Sequence, residues 1–135
     1  LSGSGGALPR MLAPFRWGVG GRIGSGRQFM SWIAIEDLVG IIDHAIHCDT
    51  LRGPLNAVAP NPVTNSEFSK TIGKILKRPS LFPVPAFVLR LAFGQMAEEV
   101  LLAGARVSAD RLLKSGYKFL YPELEGALRH ILIKQ

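Results

Sequence analysis

Residues 53–85, "GPLNAVAPNPVTNSEFSKTIGKILKRPSLFPVP", constrain the fold most, because they read as extended segment, helix and extended segment in little more than 30 residues. Leu55 to Ala59 lie between prolines and suit a short strand. Thr64 followed by Glu67 has the spacing of a capping box, and Phe68, Ile72, Ile75 and Leu76 then recur as one apolar stripe of a helix. "LFPVP" returns to extended chain. A strand, a helix and a second strand at this spacing predict a βαβ unit over 54–85, which requires a parallel pair joined by a right-handed crossover.

Helices are expected on both sides. "EDLVGIIDHAIHC" begins with acids, favourable at a helix N-terminus, and spaces Leu38, Ile41, Ile42, Ala45 and Ile46 at helical intervals. Asp37 is expected to cap this helix. After Pro85, "PAFVLRLAF" predicts a helix that Gly94 interrupts, "QMAEEVLLA" continues and Gly104 ends. A short helix from Ser108 to a Gly116 cap and a last one in "PELEGALRHILI", buried through Leu124, Ala127, Leu128, Ile131 and Leu132, complete the chain. Between them Tyr117, Phe119 and Tyr121 alternate as in an extended segment that packs on a core. The expected class is therefore α+β and α-rich, a βαβ unit plus several helices. Its parts are an Arg/Gly-rich loop and strand (1–35), a helix with the βαβ unit (36–85) and C-terminal helices (86–135).

The stretch "GVGGRIGSGRQ", residues 18–28, approaches two phosphate-binding motifs without meeting either. Gly21 to Gln28 spells G-x-x-x-x-G-R-Q where a P-loop needs G-x-x-x-x-G-K-[ST], and Gly18, Gly20 and Gly24 miss G-x-G-x-x-G by one residue. The context is reversed as well. A helix-like piece cut by Pro9 and Pro14 precedes the loop, and "FMSWIAI", which suits a strand, follows it, so no helix N-terminus is there to receive an anion. Two readings remain: a flexible glycine loop, or an anion site in which Arg27, with or without Arg22, supplies guanidinium forks.

Composition narrows the partners. The 135 residues fit one domain and are 47% hydrophobic, yet no uncharged apolar run approaches the roughly 18 residues of a spanning helix. No membrane partner is expected, and the apolar surplus reads as surface that something else covers. Of the net charge of +6, the first 35 residues carry +4 as Arg10, Arg16, Arg22 and Arg27 with no acid among them. Arginines gathered around glycines suit a small anionic ligand at least as well as nucleic acid, whose partners spread many cations along a face, and solvated surface arginines are the alternative. The single cysteine, Cys48, excludes an internal disulfide and suits a reducing compartment, the cytoplasm or an organelle interior. His44, His47 and Cys48 share a helix face, but no second Cys/His cluster closes a tetrahedron, so no metal is expected. The start at Leu1, with no cleavage signal, suggests a fragment of a longer protein. No spacing of Ser, His and Asp selects a triad.

Three stretches in order resemble the C-terminal portion of the extended short-chain dehydrogenase/reductase superfamily, the NAD(P)-dependent nucleotide-sugar epimerases and dehydratases. "GSGRQFMSWIAIEDLVGII" is similar to the family's Arg-x-hydrophobic-(Val/Ile)-(His/Tyr)-(Val/Ile)-x-Asp-(Leu/Val) strand and helix. "GPLNAVAPNPVTNSEFSKTI" resembles its Gly-x-x-Asn, strand, turn, (Ser/Thr)-x-x-Glu element, and "LLKSGYKFLYPELEGAL" its Gly-aromatic-x-Pro-x-x-x-Leu-Glu-x-(Gly/Ala)-Leu ending. With "GGAL" and "LFPVPAFVLRLAFG" the likeness is to the subgroup of epimerase family proteins that ends in an uncharacterised domain.

The resemblance implies the substrate-binding part of a Rossmann-type protein whose dinucleotide-binding half, with its glycine loop and Tyr-x-x-x-Lys pair, is absent. No catalytic residue and no cofactor are then expected on this chain, with NAD or NADP belonging to the complete protein. Arg27 matches the arginine that faces sugar-nucleotide phosphates, and Gln28 and Trp32 are weaker candidates for lining the same pocket. Ala34 stands where the family has His or Tyr, which removes a polar group expected beside the pocket, and Glu36 where Asp is frequent. The strand matching Leu55 to Ala59 and the helices beside it are implied to lie under the missing half, so the isolated chain is expected to self-associate. The competing expectation is a stand-alone basic module for nucleic acid or a protein partner.

Overall fold

The computed structural model describes residues 1–94 and 103–133. Among them are six helices: α1 (Ala7–Arg16), α2 (Ile35–His47), α3 (Asn65–Leu76), α4 (Ala86–Phe93), α5 (Asp110–Lys114) and α6 (Leu124–Ile133). The strands are two residues each, β1 (Phe29–Met30) and β2 (Val63–Thr64), and they pair antiparallel with Phe29 opposite Thr64 and Met30 opposite Val63. The expected helical continuation in "QMAEEVLLA" falls largely on residues 95–102, outside the described residues.

The architecture is α+β and α-rich, but among the described residues it contains no βαβ unit. Leu55 to Ala59 form no ladder, and the one backbone bond from their end runs from the Ala59 N–H to the Trp32 carbonyl (2.8 Å). "LFPVP" likewise attaches at a single point, the Val84 N–H donating to the Arg22 carbonyl (2.9 Å). The two segments thus lie against different parts of residues 22–32 rather than beside each other. Pro83 and Pro85 also lack the N–H groups that a ladder requires. The residues that do pair, Val63 and Thr64, form the lead-in to α3.

Helix α3 is the hub. Its capping box is complete: the Glu67 N–H donates to the Thr64 hydroxyl (3.2 Å) and the Thr64 N–H to the Glu67 carboxylate (2.8 Å). Phe68 and Ile72 are buried against Leu8, Met11, Leu12 and Phe15 of α1 and against Leu124, Ala127, Leu128 and Ile131 of α6, while Trp32, Ala34 and Ala59 fill the side nearest β1. A smaller cluster of Ile23, Val84, Val88 and Leu89 joins α4 to the loop after α1. Contrary to the sequence reading, Pro9 and Pro14 do not cut α1. Pro9 falls in the first turn, where its missing N–H has no partner to lose, and buried Pro14 forfeits one bond close to the C-terminal end.

Asp37 corrects a second expectation. Ala34, not Asp37, occupies the cap position of α2, and Asp37 is fully buried one turn inside. Its carboxylate accepts from the Tyr117 hydroxyl (2.9 Å) and from the Leu120 and Tyr121 N–H groups (2.9 Å each). The carboxylate is thereby spent on holding residues 117–121 against α2. Gly40, one turn further on, makes room: a Cβ there would lie 2.6 Å from the Tyr117 hydroxyl oxygen. The alternating aromatics dock as expected, with Tyr117 and Phe119 packed edge to face at 5.0 Å and Tyr121 stacked on His130 at 4.7 Å.

Replacing Asp37 by Ala strands two backbone donors and a phenol beneath the 117–121 segment. The variant is expected to lose about 3 kcal/mol of stability in urea unfolding, because each unsatisfied donor costs about 1–3 kcal/mol. Burial and the Asp37 carboxylate also push the Tyr117 phenol from its ordinary 10.0 up to about 12. Folding therefore favours the neutral phenol. Its contribution is present in full below pH 10.0 and is lost as the pH rises toward about 12, which a phenolate absorbance titration of wild type against Tyr117→Phe will follow.

Candidate functional site

The glycine loop runs from α1 to β1 and lies over the N-terminus of α3. The Asn65 N–H donates to the Gln28 carbonyl (2.8 Å) and the Ser66 N–H to the Gly26 carbonyl (2.9 Å), while the Glu67 N–H is taken by Thr64. The Ser69 hydroxyl likewise donates to the Gly21 carbonyl (3.0 Å), and in the other direction the Ile23 N–H donates to the buried Asn65 side chain (2.6 Å). Gly26 permits this approach with φ of 69° and with Arg22 and Ser66 side-chain atoms about 3 Å from where its Cβ would be. The loop thus presents carbonyls to the helix end and consumes the N–H groups that a phosphate would need. It does not fit a dinucleotide pyrophosphate, which requires those donors free.

What the loop leaves outward is a side chain. Arg27 is exposed, and its guanidinium has no partner among the described residues; its N–H donates to the Ser25 hydroxyl (3.3 Å). Gln28 is half-buried and donates through its side-chain amide to the Ile23 carbonyl (3.0 Å), which braces the loop from within. Trp32 is buried in the core and its indole N–H donates to the Asn61 carbonyl (3.0 Å). Ala34 is also in the core, so the polar group that it lacks relative to the family pattern would have been an interior group rather than a surface one.

The fold adds a cation that the sequence reading missed. Residues 105–107 run beside β1: the Ala105 N–H donates to the Phe29 carbonyl (3.0 Å), and the Ser31 hydroxyl donates to the Ala105 carbonyl (2.7 Å) and accepts from the Val107 N–H (3.0 Å). This places the Arg106 guanidinium over the Phe29 ring at 5.1 Å, and Phe29 is two positions beyond Arg27. Gly104 is required at this crossing, since a Cβ would meet the Phe29 carbonyl oxygen and Gln28 Cβ at 2.8 Å. No local motif marks Arg106. Only the pairing of distant segments does.

The His/Cys face of α2 is used locally. His44 bonds to the Ser115 hydroxyl (2.9 Å), His47 to the Asp43 carbonyl (2.8 Å) and Cys48 to the Thr50 hydroxyl (3.2 Å). Among the described residues no group of three or more His, Cys, Asp or Glu side chains is arranged to hold a metal ion, and no helix is long and apolar enough to cross a membrane.

Comparison with known proteins identifies the class. A family model described as a domain of unknown function (DUF1731) matches residues 84–131. The human epimerase family protein SDR39U1 is 46% identical over 132 residues, covering 98% of this chain and 45% of its own length, and the Bacillus subtilis epimerase family protein YfhF is 41% identical, covering 98% and 43%. The crystal structure of human SDR39U1 (isoform 2) with NADPH superposes with a TM-score of 0.88 at 44% identity, covering 100% of this chain and 46% of that one. A nucleoside-diphosphate sugar epimerase from Corynebacterium glutamicum gives a TM-score of 0.72 at 35% identity over 98% of this chain and 24% of its own. Over nearly its whole length the chain is similar to the C-terminal portion of epimerase family proteins of the extended short-chain dehydrogenase/reductase superfamily. It spans less than half the length of the curated relatives it matches.

Proposed function

We propose that this chain is the substrate-binding portion of an NAD(P)-dependent nucleotide-sugar epimerase or dehydratase-like protein and does not turn over substrate alone. The observation that carries the reading is the outward Arg27 on a loop whose backbone donors are already consumed, in a chain similar along its whole length to part of an NADPH-bound relative. A guanidinium offers a diphosphate two parallel charge-assisted bonds and needs no helix end to do so. Arg106, held over Phe29, extends the same basic surface and is the second cation for the ligand. Gln28 acts by bracing the loop, and Trp32 by fixing the floor beneath it.

The partner of the chain in this reading is the dinucleotide-binding half, which holds NAD or NADP and supplies the reacting groups. Helix α2 carries Ile35, Val39, Ile42 and Ile46 at i, i+4, i+7 and i+11, all exposed, and the backbone of residues 54–58 has no sheet partner among the described residues. An apolar line on one helix and an unpaired extended segment each suit docking against a sheet-containing partner.

In a full-length protein containing this chain, Arg27→Ala is expected to weaken a nucleoside-diphosphate sugar by about 1.5–3 kcal/mol in titration calorimetry. Equal affinity of variant and wild type across a panel of such sugars removes Arg27 from the site. In the isolated chain the uncovered stripe is expected to drive self-association at about 10–100 μM, and the double variant Ile42→Ser/Ile46→Ser to sediment as a monomer. A wild-type chain that is already monomeric at these concentrations contradicts the assignment of that face.

A further inference from the structure

A second exposed apolar surface lies away from the α2 stripe and has a different electrostatic character. Leu81 and Phe82 are 77% and 79% exposed, Phe87 and Leu91 project one turn apart from α4, and Trp17 stands at the end of α1. Leu81 and Phe82 share one surface with Val19, because residues 18–20 and 79–85 form the two walls of a groove of about 320 Å³; Trp17 adjoins one wall in the chain and Phe87 the other. The exposure is fixed by the backbone. Gly21 packs so closely on the Phe82 carbonyl that a Cβ would lie 1.8 Å from its oxygen, and Val84 turns inward with its N–H bonded to the Arg22 carbonyl. With Val84, Val88 and Leu89 anchored in the small core, the side chains of Phe82 and Phe87 are held out in water.

Charge decides what such a surface meets. Residues 1–35 contain four arginines and residues 77–94 contain Lys77, Arg78 and Arg90, and neither segment contains an acid. A second copy would bring the same positively charged segments against these, which repels. The α2 stripe is interspersed with Glu36 and Asp43, as suits a protein interface, whereas aromatic and leucine side chains carried on two segments whose charges, over residues 1–35 and 77–94, are all positive match a lipid headgroup layer. We propose that the surface of residues 17–19 and 81–91 docks on a membrane leaflet containing anionic phospholipid. Trp17, Leu81, Phe82 and Phe87 enter the boundary between headgroups and acyl chains, while Arg16, Arg78 and Arg90 pair with phosphates. The sequence reading expected no membrane partner because it excluded a spanning helix; this surface lies on a leaflet and needs none. The proposal is independent of the phosphate-site reading at Arg27.

Flotation of the 135-residue chain with phosphatidylcholine vesicles, with and without phosphatidylserine, tests it, since self-associated protein does not float without lipid. The chain is expected to float with the anionic vesicles, to stay behind with the neutral ones and to be released by salt. Leu81→Ser/Phe82→Ser should lower the partition coefficient at least about tenfold, and the charge reversal Arg78→Glu/Arg90→Glu should abolish the preference for phosphatidylserine. Ile133→Ser, at the exposed end of α6, should leave partitioning unchanged. No flotation with anionic vesicles, equal flotation with neutral ones, or a loss in Ile133→Ser as large as in the double serine variant overturns the proposal.

Discussion

The start of α3 is the constraint on which the remaining structure depends. A helix N-terminus has N–H groups without intrahelical partners, and here three acceptors satisfy one each: the Gln28 carbonyl that of Asn65, the Gly26 carbonyl that of Ser66 and the Thr64 hydroxyl that of Glu67. Because the two carbonyls belong to the glycine loop, satisfying the helix end fixes the loop, and fixing the loop sets where Arg27 leaves the surface. The buried Asn65 side chain closes the arrangement by accepting from Ile23. Three of the glycines between residues 18 and 26 are accounted for by close packing within the chain: Gly20 against Phe15 of α1, Gly21 against the Phe82 carbonyl and Gly26 against Ser66 of α3. The phosphate-loop appearance arises because both tasks need main chain free of Cβ atoms.

Local signals were legible in the sequence where they are self-contained. The Thr64/Glu67 capping box, the apolar period of α6 and the Gly116 stop after α5 each depend on residues within one or two turns, and all are present in the fold. The βαβ reading failed because it inferred pairing from segment order alone. Residues 55–59 and 81–85 are extended, but extended chain becomes a sheet only when a partner supplies the complementary ladder, and each found just one bond to residues 22–32. The fold class survives through its helices and one short antiparallel pair.

Asp37 and Arg106 show why the rest was hidden. An acid in the first turn of a helix ordinarily serves that helix, but here its acceptors serve backbone donors more than 80 positions away. Arg106 gains meaning only because residues 105–107 run along β1. Both roles are set by tertiary neighbours rather than by propensity. Arg27 was named from the match to a family motif, and the fold places it exposed on a loop whose carbonyls are bonded to the start of α3.

The main core draws Leu8 to Phe15 from one end of the chain and Leu124 to Ile131 from the other, wrapped on Phe68 and Ile72 at its middle. No contiguous half of the chain therefore owns a core that can close by itself. During vectorial synthesis α1 and α3 must wait, with their apolar faces wet, until α6 has emerged. The contacts that close this core are therefore long-range in sequence, which raises the contact order and slows folding.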